Sequence, residues 1–260
     1  NGIAAAQSLP YSREFSTVEI TIDPVSDRVI DEQTVIRMPT KIAGVAPDAE
    51  IQRVVDPFLE QVAAKKNERL GITSTAVFER HNTAESTIGN LVADALREWS
   101  GADFAFMNSG GIRSNLRAGD LVYSDVFEVS PFDNYPAIVT MTGQQVIDAL
   151  NATASTFRGI IQVSGLLYTI DAGDGRTVTG VTVDGRPIDR QRLYRVIMPD
   201  FLAYGGDGFA PVTRNIPAER IVIDQNQPIR DAIIEALQKR KAPISPSLEG
   251  RITVINAPER

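Results

Sequence analysis

The sequence predicts an α+β fold of mixed, largely antiparallel sheets with flanking helices. Three observations lead to it. Apolar residues recur at both helical and strand spacing, without the regular strand–helix alternation of a parallel α/β sheet. The turns Gly173-Asp174-Gly175 and Asp184-Gly185 favour hairpins between the later strands. Two strands far apart in the chain each run into a glycine turn that carries polar groups. Phe104-Ala105-Phe106-Met107 leads into Asn108-Ser109-Gly110-Gly111-Ile112-Arg113, and Tyr194-Arg195-Val196-Ile197-Met198 leads into the block from Asp200 to Phe209.

Residues 14–23 alternate in part, with Phe15, Val18, Ile20 and Ile22 as the apolar members, and Asp23-Pro24-Val25-Ser26-Asp27 makes the following turn. Val29 to Met38 reads as a second strand, and Pro39, Gly44 and Pro47 punctuate the loop after it. Asp48 is placed to cap a helix over 49–67 with Ile51, Val54, Val55, Phe58, Leu59 and Val62 on one face. Lys65 and Lys66 close that helix with the charge its dipole favours. Val77-Phe78 ends a short strand, and a loop leads to a helix over 86–99 with Ile88, Leu91, Val92, Ala95 and Leu96 at helical spacing. A strand at 103–107 follows, and Thr142 caps a helix through Leu150. Strands at 166–171, 177–183 and 193–198 look like one antiparallel set. Pro228 to Lys239 is a late amphipathic helix, and Arg251 to Ile255 a last strand. The main domain spans about 70–255. The two strands and lone helix before it cannot bury a core of their own, so they are the tail of an upstream domain or an edge added to the main one.

Composition narrows the function. Hydrophobic residues make up 43% and charged residues 23% of the 260, as in ordinary globular proteins. No apolar run approaches the ~20 residues of a membrane span. A net charge of −7 argues against a nucleic-acid surface, which needs a basic stripe. It does not exclude an anionic small molecule held by a local arginine. The absence of cysteine removes disulfides, thiolate metal sites and cysteine nucleophiles. His81 is the single histidine, so serine–histidine catalysis or a histidine-rich metal site would hang on one residue. The start, Asn1-Gly2-Ile3-Ala4-Ala5-Ala6, lacks the basic and apolar regions of a signal peptide.

The two glycine turns suit a small ligand with a planar ring, hydroxyls and an anionic group. Paired glycines let a backbone approach closely. Asn108 supplies an amide, Arg113 a cationic fork, Asp207 an acceptor and Phe201 a flat apolar face. Taken by composition alone, Phe132 and Phe201 would be core phenylalanines, and Asp207 a turn aspartate satisfied by backbone.

The order of motifs carries a family resemblance. The pieces are Glu85-Ser86-Thr87-Ile88-Gly89-Asn90-Leu91-Val92-Ala93-Asp94-Ala95, then Ala102-Asp103-Phe104-Ala105 with Asn108-Ser109-Gly110-Gly111-Ile112-Arg113. Next come Pro131-Phe132-Asp133-Asn134, Met141-Thr142-Gly143, Val163-Ser164-Gly165-Leu166 and the Phe201 to Phe209 block. In this order they resemble the C-terminal substrate-binding domain of the 5′-nucleotidase family, over roughly 70–255. The family also holds cyclic-nucleotide phosphodiesterases and nucleotide-sugar hydrolases. The resemblance implies that residues 1–42 are remnant strands of an upstream metallophosphoesterase domain, 43–70 a linker helix about which the two domains rotate, and 71–260 the substrate-binding domain. It implies no catalytic or metal-ligating residue in this chain: two divalent metal ions belong to the preceding domain, the chain's intramolecular partner. Periplasmic or secreted localisation is implied as well.

By resemblance, Phe132 and Phe201 sandwich a nucleobase, Asp207 accepts from ribose hydroxyls, and Arg113 contacts the phosphate. Asn108 touches base or ribose, and Gly110, Gly111 and Gly165 allow close backbone approach. One position departs from the pattern. Many family members place a second phosphate-binding arginine where this chain has Asn82. Arg80 and His81 lie just upstream, and either could reach the same phosphate if the loop is rearranged. Glu85 is expected to pair with an arginine or to cap the helix at 86. Open alternatives are a nucleotide-binding module without catalysis, and an enzyme acting on a cyclic nucleotide, a nucleotide sugar or a thiol ester of a sulfur carrier.

Overall fold

The computed structural model describes residues 7, 15–37, 44, 46–154, 159–173 and 175–257. They fall into two compact units that divide between Gln61 and Val62. In the first unit, β1 (Phe15–Asp23) and β2 (Arg28–Arg37) form an antiparallel hairpin. The turn between them is built by its own side chains: the Asp23 carboxylate accepts from the Val25 N–H at 3.0 Å and the Ser26 hydroxyl at 2.6 Å. Phe15, Val18, Ile20, Ile22, Val29 and Ile30 of this hairpin are exposed. Helix α1 (Ala49–Lys66) starts in this unit and ends in the second. The Asp48 carboxylate caps it, accepting from the N–H groups of Glu50 and Ile51 at 2.8 and 3.1 Å. Its apolar face, from Ile51 to Val62, is exposed throughout.

The second unit continues with β3 (Arg69–Ser74), α2 (Thr87–Ser100), β4 (Phe104–Asn108), β5 (Gly119–Val122), α3 (Tyr123–Val129), β6 (Pro136–Thr142), α4 (Gly143–Ala154) and β7 (Ile161–Ser164). Then come β8 (Leu167–Asp171), β9 (Thr177–Val183), β10 (Arg186–Pro187), β11 (Leu193–Pro199), α5 (Asp200–Ala203), α6 (Ala210–Thr213), β12 (Ile221–Ile223), α7 (Ile229–Lys239) and β13 (Ile252–Ile255). A five-stranded sheet has the order β12-β6-β11-β4-β7, a four-stranded sheet the order β10-β9-β8-β13, and β3 pairs with β5. The pairings are antiparallel except β11 with β4 and β13 with β8. The α+β class is therefore correct.

Burial explains why β4 shows no alternation. Successive side chains of a strand point to opposite faces, and both faces of this sheet are covered. Ala105, Met107 and Ile197 pack under α2 and α7 with Leu91, Leu96, Ile233 and Leu237. Phe104, Phe106, Val196 and Met198 pack on the other side with Val146 and Leu150 of α4 and with Tyr168 and Ile170 of the four-stranded sheet. A strand buried on both faces reads as a continuous apolar run.

Several elements match their expected chemistry. Ser86 caps α2 by accepting from the Gly89 N–H at 3.1 Å, and Gly101 ends it at φ 60. Thr142 accepts from the Gln145 N–H at 3.2 Å at the start of α4. Asp184 and Gly185, at φ 50 and 73, make the tight turn between β9 and β10. Residue 174 of the other expected hairpin turn lies outside the described residues.

Other expectations change. The strands at 166–171, 177–183 and 193–198 are not one set: β8 and β9 pair, but β11 lies in the five-stranded sheet between β6 and β4. The strand expected to end at Phe78 is β3, which ends at Ser74, while Phe78 makes only an isolated bridge to Leu116. Strands β5, β6, β7, β10 and β12 and helices α3, α5 and α6 were not anticipated; all but β6 and α3 are four residues or shorter. Among the described residues, Glu85 neither pairs with an arginine nor caps α2. Its carboxylate accepts from the Asn90 side chain at 2.6 Å and the Glu249 N–H at 2.8 Å, tying α2 to the C-terminal segment.

Candidate functional site

The parallel pairing of β4 and β11 sets the two glycine turns side by side at their carboxyl ends. Crevices at that end of parallel strands are favoured ligand sites, because two chains leave the sheet there in different directions. A cleft of about 520 Å³ opens at this point, lined by Asn108, Gly110, Gly111, Arg113, Phe132, Asn134, Phe201 and Asp207. That is the size of a small-molecule pocket.

The turn after β4 is a 3₁₀ turn, Ser109–Gly111, held from below. The Ser109 hydroxyl donates to the Ile160 carbonyl at 2.7 Å and accepts from Gln162 Nε2 at 3.1 Å. Fully buried Gln162 also donates to the Ala84 carbonyl and accepts from the Ser86 N–H, so one amide ties this turn to the loop before α2. Gly111 leaves room that a side chain would close: a Cβ there would stand 2.8 Å from Asn108 Oδ1. The turn after β11 is built differently. Gly205 and Gly208 adopt φ 97 and 95, and Asp207 between them φ 48. Glycine carries such angles without strain, and aspartate is among the few other residues that do so readily. A Cβ on Gly206 would clash with the face of the Phe201 ring, at Cζ and both Cε atoms, so the ring lies flat against that glycine.

The polar groups of both turns meet. Asn108 Nδ2 donates to Asp207 Oδ2 at 2.7 Å. Asn108 is 6% exposed, and no donor among the described residues reaches its buried Oδ1. A buried amide oxygen without a donor costs free energy that a ligand N–H or O–H would recover. Phe132 and Phe201 are each 40% exposed, so their rings are open to solvent rather than packed in the core. The Arg113 guanidinium lies 5.9 Å from the centre of the Phe132 ring and donates to the Gly110 carbonyl at 3.2 Å.

Arg80 does not line the cleft but is close enough to sense it. Burial, and then the charge of Arg113, push its guanidinium below its ordinary pKa. Its Nη2 donates to Asn82 Oδ1 at 2.7 Å, and its Nε is buried with no acceptor among the described residues. The His81 Nδ1 instead accepts from the Thr83 N–H at 3.3 Å within the loop.

Of the residues singled out from sequence, Asn108, Gly110, Gly111, Arg113, Phe132, Phe201 and Asp207 come together in the cleft. Gly165 does not. At φ 89 it faces the Asp103 carbonyl and the Arg97 side chain, so it serves a close backbone approach between β7 and β4 away from the cleft. Asn134 was missed as a lining residue, although it stands within the Pro131-Phe132-Asp133-Asn134 motif. Gln162 was missed because a buried hub leaves no periodic signal. Among the described residues, no group of three or more His, Asp or Glu side chains is placed to share a metal ion, and no helix is long and apolar enough to cross a membrane.

Comparison with known proteins gives a consistent result. Residues 62–214 match the family model described as 5′-nucleotidase, C-terminal domain. A 5′-nucleotidase of Vibrio cholerae is 33% identical over 180 residues, which cover 65% of this chain and 31% of that protein. The cell wall protein Lmo0130 of Listeria monocytogenes is 30% identical over 230 residues, covering 78% of this chain and 29% of its own length. The crystal structure of a 5′-nucleotidase precursor from Thermus thermophilus superposes with a TM-score of 0.76 at 26% identity, over 95% of this chain and 50% of that one. The chain thus spans about a third of those relatives and half of that structure.

Proposed function

The chain belongs to the 5′-nucleotidase family through its C-terminal domain, and on that premise we propose that its cleft clamps the nucleoside part of a nucleotide between Phe132 and Phe201. The carrying observation is the convergence, in one cleft, of two exposed aromatic faces, an Asn108 Oδ1 that meets no donor among the described residues, the Asp207 carboxylate and Arg113. A nucleobase gains stacking from two flat faces without base-specific hydrogen bonds. Asp207, ionised, is an acceptor suited to a ribose diol, and Asn108 Oδ1 takes a further N–H or O–H. Arg113 holds the phosphate through a forked pair of charge-assisted bonds that lysine does not reproduce.

In this proposal residues 1–42 are strands of a preceding metallophosphoesterase domain, 43–70 the linker helix, and 71–260 the substrate-binding domain. The cleft orients the phosphate of a phosphate ester, and orientation alone can lower a barrier by several kcal/mol. Two divalent metal ions on the preceding domain would supply the activated water. Among the described residues, no carboxylates and histidine gather as a donor set for them. In this reading the chain by itself binds and does not hydrolyse. A periplasmic or secreted location goes with this reading, in keeping with the cell wall name of the Listeria relative.

Asn82 favours a second substrate reading. With no arginine at that position, the phosphate arm rests on Arg113 and on Arg80, which Asn82 holds. A cyclic nucleotide or nucleotide sugar would ask less of that arm than a dianionic monophosphate. Calorimetric titration of the chain with AMP and adenosine tests the arm. AMP is expected to bind several-fold tighter, with the advantage lost in Arg113→Met and reduced in Arg80→Gln. Equal affinities in the unaltered chain would remove the phosphate role from both arginines.

A further inference from the structure

Arg230 sits where a cation is least welcome. It is the second residue of α7, at the positive end of the helix dipole, and it is 8% exposed. A buried charge in such a place is held only by its partners, and each nitrogen of this guanidinium has one. Nε donates to the Tyr123 hydroxyl at 3.0 Å, Nη1 to the Phe132 carbonyl at 3.2 Å, and Nη2 pairs with the Asp133 carboxylate at 2.7 Å. The guanidinium carbon lies 5.1 Å from the centre of the Phe127 ring. The neighbouring Ile229 N–H donates to the Asn134 carbonyl at 2.8 Å. Two of the three polar partners thus belong to the segment that carries the exposed Phe132, and the rest of the side chain leans on α3.

Packing α7 against α3 does not require a cation. A leucine or methionine would fill the space beside Tyr123 and Phe127 without the desolvation cost of a buried charge. An apolar side chain cannot hold a carbonyl and the next residue's carboxylate in one fixed fork. An exposed ring contributes most to ligand affinity when its backbone is already fixed, because less freedom is then lost on binding.

We propose that Arg230 is a positioning residue of the cleft: it fixes the Phe132 segment so that the ring stands ready to stack on a planar ligand. The identity of that ligand rests on the nucleoside reading above; the fixing of the segment does not. The test compares the 260-residue chain with Arg230→Lys and Asp133→Asn, each with and without Phe132→Ala. Calorimetry reads the adenosine affinity, and 15N relaxation compares backbone order at residues 132–135, whose N–H groups donate no hydrogen bond among the described residues, with that at 201–208. Arg230→Lys is expected to weaken adenosine about fivefold or more, and to add nothing once Phe132 is alanine. Order parameters should fall at 132–135, from about 0.85 toward about 0.6, and stay unchanged at 201–208. Asp133→Asn, whose side chain is largely in solvent and leaves the core intact, should move both readouts the same way by less. Equal losses of affinity with and without Phe132, or order that falls evenly across the domain, would overturn the proposal and leave Arg230 as a brace between α7 and α3. Should the unaltered chain bind no adenosine, the nucleoside reading fails. The pattern of backbone order then decides alone: a fall confined to 132–135 upholds the positioning role, and any other pattern ends it.

Discussion

The apolar face of α1 and the aromatic pair of the cleft both leave large hydrophobic side chains in solvent, yet they differ in what surrounds them. Along α1, Ile51, Val54, Val55, Phe58, Leu59 and Val62 form a stripe at helical spacing, the pattern of a face built to be covered. In the cleft, Phe132 and Phe201 stand among an amide oxygen that meets no donor among the described residues, a carboxylate in a left-handed turn and a guanidinium. Exposure alone therefore does not mark a ligand site. Convergent polar groups held by a buried network do, whereas a bare stripe marks a packing surface. In the proposed reading the α1 stripe belongs to a linker helix, and its cover is protein rather than ligand.

The sharpest contrast should appear in stability. Leu96 of α2 lies on an apolar face of the same spacing but is 0% exposed, whereas Phe58 of α1 is 63% exposed. Leu96→Ala is expected to cost about 2–5 kcal/mol in a denaturant titration. Phe58→Ala should change the same measurement by roughly 0.5 kcal/mol or less. A large loss at Phe58 would show that the stripe is already covered in this chain, and the comparison would break. A smaller effect, on binding alone, is expected in the cleft. Gly206→Ala keeps a backbone that alanine tolerates but drives its Cβ into the Phe201 ring. The ring must move, and adenosine affinity should fall about tenfold, near 1.4 kcal/mol, with the unfolding midpoint nearly unchanged. An equal fall in stability would mean that Phe201 is part of the core after all.

Much of this was legible in the sequence, for local reasons. The Ser86 cap, the spacing from Ile88 to Leu96 and the closing Gly101 specify α2 within a few neighbouring residues. The two glycine turns announce themselves by composition, and the cleft they form holds seven of the residues named from sequence. What stayed hidden depends on contacts between distant segments. The parallel pairing of β4 with β11 cannot be read from either strand, and so β11 was assigned to the wrong set. Gly165 carries the positive φ expected of a special glycine, but its neighbours are Asp103, Arg97 and Phe104, away from the cleft. Arg230 and Gln162 have no local signature, since their partners lie far away in the chain. The α1 stripe was legible as a helix face, but periodicity says nothing about what covers it.

The central claim is that the cleft is a nucleoside clamp, and the most direct test is calorimetric titration of adenosine into the chain and into its Phe201→Ala variant. The account predicts measurable binding that weakens by about 1–3 kcal/mol, roughly fivefold to more than a hundredfold, when the ring is removed. Equal affinity in the two proteins, or no adenosine binding by the unaltered chain, would contradict it.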